Sequence, residues 1–176
     1  CLLSRGLGDV YKRQISPKAK LLSVDYGKNP KDYQAAPIKI TFRYEIPDYA
    51  LKGEKEMFFR PLVMNNLYNQ VRSYLRIDTS LEERKYGFKD GCSRLVELDE
   101  TIQLPAGYKL ANADKNETMQ GTGADFEGSL VQKGNKVLLH NRLALKKRVY
   151  EASDWESFRN AVNAHKAYGE YLVIKK

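Results

Sequence analysis

The chain has 176 residues, of which 42% are hydrophobic and 30% charged, with a formal net charge of +8. That length and balance suit one globular domain with a buried core, and exclude a disordered or fibrous chain. No apolar run approaches the roughly 20 residues of a bilayer-crossing helix, so no membrane span is expected.

Residues 1–14 show neither a helical nor a strand period. Within them, Asp9-Val10-Tyr11-Lys12-Arg13-Gln14 resembles a translation of the transposon end used to prepare sequencing libraries. We therefore treat 1–14 as an artefactual or disordered leader and expect the domain to span 15–176. The natural N-terminus, with any export signal, is then expected upstream. Without Arg5, Asp9, Lys12 and Arg13 the net charge is +6, and Cys92 is the sole cysteine. An intrachain disulfide is thereby excluded.

Leu22, Val24 and Tyr26 alternate as a strand does, and Gly27-Lys28-Asn29-Pro30 reads as a turn. The clearest signal follows. Ile38, Ile40, Phe42, Tyr44 and Ile46 alternate with Lys39, Thr41, Arg43 and Glu45, between Pro37 and Pro47. Period two with one apolar face predicts a half-buried antiparallel strand, and proline at each end stops the ladder. Glu54 to Val63 is β-prone around Met57, Phe58 and Phe59. Asn66 to Leu75 places Leu67, Val71 and Tyr74 at helical spacing. Arg94 to Leu104 alternates through Val96, Leu98 and Ile102 and stops at Pro105-Ala106-Gly107. Phe126 to Gln132 and Lys136 to Tyr150 flank Lys133-Gly134-Asn135, a hairpin signal.

One helix near the C-terminus is well marked. Ser153 and Glu156 have capping-box spacing, and Trp155, Phe158, Val162 and His165 recur on one face. Gly169 suits its end. Tyr171 to Ile174, a continuous apolar run, predicts a last strand covered on both faces. Asp78-Thr79-Ser80 and Asn112 to Gly123 read as mobile loops. Strands followed by one late helix, without strand–helix alternation, predict a mainly β fold: an antiparallel β-sandwich with one C-terminal α-helix and a final strand.

Chemistry is sparse. A Cys–His nucleophile pair needs the base within hydrogen-bond reach, and no spacing joins Cys92 to His140 or His165. Zinc wants clustered ligands, and one cysteine with two isolated histidines does not supply them. Glu82-Glu83 reads as a solvated loop. Asp99 and Glu100, as strand neighbours, point to opposite faces and cannot face each other across a cleft. Lys146-Lys147-Arg148 reads as a solvated strand end, and no aromatic platform for nucleic acid accompanies it. We expect no catalytic, cofactor-binding or metal-binding residue and no nucleic-acid partner. Tyr33, Tyr49 and Tyr108, near turns, are candidate contacts for a peptide, a glycan or a partner, as is Tyr26, although core packing is the default for such tyrosines.

Several segments together resemble one family. These are Pro37 to Ala50 (PIKITFRYEIPDYA), Leu104-Pro105-Ala106-Gly107-Tyr108-Lys109, the turn Lys133 to Lys136, Trp155-Glu156-Ser157-Phe158-Arg159, and Tyr171 to Lys176. The chain is similar, over roughly 15–176, to the C-terminal domain of unknown function that follows a transglutaminase-like core in exported Bacteroidetes-type proteins. That resemblance implies a β-sandwich scaffold beside a papain-like core whose Cys, His and Asp lie upstream. Residues 65–80 fit its pattern poorly. No catalytic residue carries over, since Cys92 lacks the helix-start setting of the nucleophile. The resemblance implies a non-catalytic structural or interaction domain of a periplasmic or envelope protein, with the upstream core as partner. A ligand-binding sandwich for glycan or peptide is the rival reading. Were a neighbour missing, an exposed edge or apolar patch is expected near Leu21 to Tyr26.

Overall fold

The computed structural model describes residues 16, 18–25, 27, 41–63, 77–111 and 114–176. The leader 1–14, Tyr26, Tyr33, Pro37 to Ile40 and the helix expected over 66–75 lie outside these residues. The chain divides into two compact units, Cys1–Tyr49 and Ala50–Lys176. The fold is mainly β, with antiparallel sheets, one C-terminal helix and a final strand, as the sequence predicts.

In the first unit, β1 (Lys20–Asp25) pairs antiparallel with β2 (Thr41–Glu45). Phe42 and Tyr44 are half-buried while Thr41, Arg43 and Glu45 are exposed, which is the expected alternation. β1 departs from it. The register slips between Leu21 and Ser23, so Leu21 shares the half-buried face with Val24, and Leu22 is 51% exposed. One extra residue in one strand reverses the facing of what precedes it.

Among the described residues, the second unit has two four-stranded sheets and a short pair. Its strands are β3 (Leu51–Lys52), β4 (Glu56–Phe59), β5 (Phe88–Lys89), β6 (Arg94–Gln103), β7 (Lys109–Leu110), β8 (Lys115–Met119), β9 (Ala124–Lys133), β10 (Lys136–Leu145), β11 (Val149–Tyr150) and β12 (Leu172–Lys175). The larger sheet runs β6-β10-β9-β8 and the other β3-β4-β12-β7, while β11 pairs β5. β9 and β10 turn through Gly134, whose φ of 62° suits the first central position of a two-residue hairpin.

Helix α1 (Trp155–Ala167) lies on β9 and β10. Its buried face is the predicted one, Trp155, Phe158, Val162 and His165, with Ala161 and Ala164 between. Together with Phe126, Leu130, Val137, Leu139 and Leu143 of the larger sheet and Phe59, Leu172 and Ile174 of the smaller, these apolar side chains form one core. Phe88 is its aromatic hub, stacked on Tyr150 at 4.6 Å and edge-on to Trp155 and Phe158. Trp155 also donates its indole N–H to the Leu81 carbonyl at 3.1 Å. Truncating either Trp155 or Phe158 removes roughly 3–5 kcal/mol.

Several local expectations are corrected. The helix is not capped by Ser153 and Glu156, both exposed. A 3-10 turn, Ala152–Asp154, precedes it, and the buried Asp154 carboxylate accepts the Glu151 N–H at 2.9 Å and the Lys147 ammonium at 2.7 Å. These charge-assisted bonds outcompete the weaker box, and the Lys147 and Thr122 side chains hold the Asp154 carboxyl below its ordinary range. Gly169 follows the helix without a left-handed φ. Residues 136–150 are not one strand, since β10 ends at Leu145. β12 buries Leu172 and Ile174 on one face, while Val173 on the other is half-buried and Tyr171, just before the strand, is exposed.

The loop expectation for 112–123 is corrected in part, and Asp78-Thr79-Ser80, which has no regular structure as expected, is tied down. Lys115–Met119 is a strand, because its polar residues find backbone partners along β9; residues 112–113 lie outside the described ones. Thr79 is buried and anchored to α1. Its hydroxyl donates to Asn163 at 2.8 Å and accepts from Lys166 at 2.7 Å, and its carbonyl accepts from Arg159 at 3.2 Å.

Candidate functional site: a carboxylate–imidazole row on the outer sheet face

The two faces of the larger sheet have opposite chemistry. Towards the helix, β10 sends Val137, Leu139, Asn141, Leu143 and Leu145, all buried. Towards the other side it sends Leu138, His140, Arg142 and Ala144, all half-buried. Because side chains alternate, register alone fixes which residues of β6 and β9 join each face.

On that outer face, His140 stands directly opposite Asp99 of β6 and Ser129 of β9. The His140 Nδ1–H donates to Asp99 Oδ1 at 2.8 Å. One step along, Arg142 stands opposite Glu97 and Glu127. Donor atoms of Glu97, Asp99 and His140 all lie within 4.8 Å of one another. Sequence spacing hid this cluster, since Asp99 and His140 are far apart along the chain. The available signal was pairing, as two alternating ten-residue strands flank a third across a hairpin.

Asp, His and Ser in a row invite comparison with a nucleophilic triad. The Asp–His bond has the orienting role such a triad needs. The nucleophile bond is missing, for Ser129 makes no hydrogen bond to the imidazole among those of the described residues. The row also stands on a sheet face, not in a cleft with oxyanion donors.

Other reactive side chains stay apart. Cys92 is exposed, two residues before β6 begins. Arg94 pairs with Leu145 and Asp99 with His140, so the thiol is more than ~15 Å along the strand from that imidazole. His165 lies on the opposite, core side, where it hydrogen-bonds Asn141 through Nδ1 and both side chains are fully buried. Glu100 faces inward, as expected of a neighbour of Asp99, and accepts the Leu62 and Val63 amides at 2.8 and 3.1 Å.

Glu82 and Glu83, both exposed, line an open hollow of about 550 Å³ with Arg84, Trp155, Glu156 and Arg159. The Arg84 guanidinium is stacked 4.4 Å from the Trp155 ring centroid. Its carboxylates are solvated, unlike the desolvated acid that glycoside hydrolysis requires. Within the basic run, Lys146 pairs with Asp125 at 2.7 Å and Lys147 with Asp154 at 2.7 Å. Both are thus committed within the fold. Of the four tyrosines singled out, Tyr108 is half-buried against the core and Tyr49 is 37% exposed. Tyr26 and Tyr33 lie outside the described residues.

A family model, a domain of unknown function with a solved structure, DUF3858, matches residues 55–173. The chain belongs to that family. The fold is also similar to the crystal structure of a "putative protease" from the Bacteroidetes species Parabacteroides distasonis. That likeness has a TM-score of 0.54 at 12% identity and covers 70% of this chain. The chain spans 24% of the length of that protein. No curated protein matches.

Proposed function

We propose that this DUF3858 domain is a non-catalytic structural and interaction module at the C-terminal end of a longer, transglutaminase-like protein of the bacterial envelope. The observation that carries this reading is the separation of its reactive side chains. Cys92 stands on a solvated loop, His165 lies inside the core, and His140 sits on an open sheet face. A papain-type site instead needs thiol and imidazole within hydrogen-bond reach.

Two further observations support it. The match to the similar solved structure takes up only 24% of that protein, which fits a domain with neighbours. Leu22 is half exposed, and among the described residues β1 has only β2 as a sheet partner, which fits the patch expected for a lost neighbour. Tyr108, packed against the core, gives the glycan- or peptide-binding reading little surface.

The test is the natural reading frame upstream of Ile15, followed by peptidase and acyl-transfer assays on the whole protein. A cysteine-bearing helix followed by a histidine strand and an aspartate strand is expected upstream, with activity lost on replacing that upstream cysteine and kept in Cys92→Ser. Activity from the 176-residue chain alone, abolished by Cys92→Ser, overturns the proposal.

A further inference from the structure

We propose that Glu97, Asp99 and His140 form a binding site for a divalent transition-metal cation such as Zn²⁺ on the outer face of the larger sheet. Their donor atoms lie within 4.8 Å of one another. On a tetrahedral ion with metal–ligand distances of about 2.0–2.2 Å, two donors stand roughly 3.5 Å apart. A small rotamer adjustment therefore closes the site.

Three features go beyond a chance meeting of charges. The scaffold is rigid: β6 and β10 pair without a break over ten residues each, so the three Cα positions are set by backbone hydrogen bonds. Next, two donors already face each other. His140 Nδ1 lies 2.8 Å from Asp99 Oδ1, so an ion that takes the place of the proton between them, which is released to water, meets both with little movement. Finally, one carboxylate is available. Arg142 stands across from Glu97, yet among the described residues the Glu97 side chain makes no ion pair or hydrogen bond. An imidazole with two carboxylates suits zinc, cobalt or nickel better than magnesium or calcium, which favour oxygen alone. Water fills the remaining positions, since the face is open.

This inference is independent of the envelope-scaffold reading, because it concerns metal affinity and not the parent protein. The 176-residue chain carrying Cys1→Ser and Cys92→Ser, which removes thiol binding, is titrated with ZnCl₂ by calorimetry and by ¹⁵N–¹H spectra. One saturable equivalent is expected, with shifts centred on residues 97–99 and 140. His140→Ala is expected to weaken binding by about tenfold or more, and Asp99→Asn by at least as much. Glu97→Gln keeps shape and exposure, so its several-fold loss stands even if His140→Ala folds poorly. Absence of saturable binding up to millimolar zinc overturns the proposal, leaving the Asp99–His140 contact a plain ion pair. Parent affinity in both Glu97→Gln and His140→Ala also overturns it, by placing the metal elsewhere.

Discussion

The two four-stranded sheets of the second unit are built on different plans. In the larger, β8, β9 and β10 follow one another along the chain and β6 joins by a ten-residue ladder. Most of its pairing is local, and helix α1 seals one face. The smaller sheet gathers β3, β4, β7 and β12 from opposite ends of the unit, with Phe59 paired to Leu172 and Met57 to Ile174. Its strands are two to four residues long. Long-range pairing closes large loops for few hydrogen bonds, so the smaller sheet depends on side-chain burial while the larger also has ladder length.

The largest expected effect tests that dependence. Ile174 is 2% exposed on the strand that joins β4 to β7. Ile174→Ala is expected to cost about 2–5 kcal/mol in urea unfolding. Hydrogen exchange should show residues 56–59, 109–110 and 172–175 losing protection before 124–145. Simultaneous loss in both sheets would erase the distinction between them.

An intermediate effect probes how tightly the larger sheet meets the segment just after α1. A Cβ at Gly128 would lie 2.6 Å from the ring tips of Phe126 and Tyr168. Gly128→Val therefore overpacks and is expected to cost at least about 1–3 kcal/mol. Gly91, with nothing within 4 Å of such a Cβ, is the control, and Gly91→Ala should change stability by no more than about 0.5 kcal/mol. Equal melting shifts for the two would refute the tight fit.

The smallest effect concerns Tyr168. Burial, with a lesser contribution from Glu117, pushes its phenol up to about 12 from 10.0. A folded value above the unfolded one means the associated stability is complete below pH 10 and fades as pH rises towards 12. Its hydroxyl has no hydrogen-bond partner among the described residues, so Tyr168→Phe is expected to be neutral within about 1 kcal/mol at pH 7. The variant should also flatten the alkaline stability loss measured by denaturant titration. An unchanged alkaline profile would assign that loss to other groups.

Legibility followed the same division. β6, β9, β10 and the buried face of α1 were readable because periods of two and of 3.6 survive in long, amphipathic elements. The β8 strand was missed because Lys115-Asn116-Glu117-Thr118 carries no apolar period; its backbone partners come from β9, which composition does not reveal. Thr79 is a loop residue as its composition suggests, but its anchoring is not legible because the three partners sit on a helix some eighty positions away. The bulge in β1 shifted Leu22 outward for a reason no alternation rule contains. The Glu97–Asp99–His140 row escaped notice because ligand spacing rules count along the chain, whereas a sheet brings ligands together across it.

The position of β12 has a bearing on how the molecule is made. Because Leu172–Lys175 lies between β4 and β7, the smaller sheet stays open until residue 175 has cleared the ribosome, whereas the β9–β10 hairpin can close during synthesis. For several seconds of translation at ordinary elongation rates, Phe59 waits without its cross-strand neighbour. In that interval a chaperone, or an adjoining segment of the same nascent polypeptide, has its best opportunity to engage this protein.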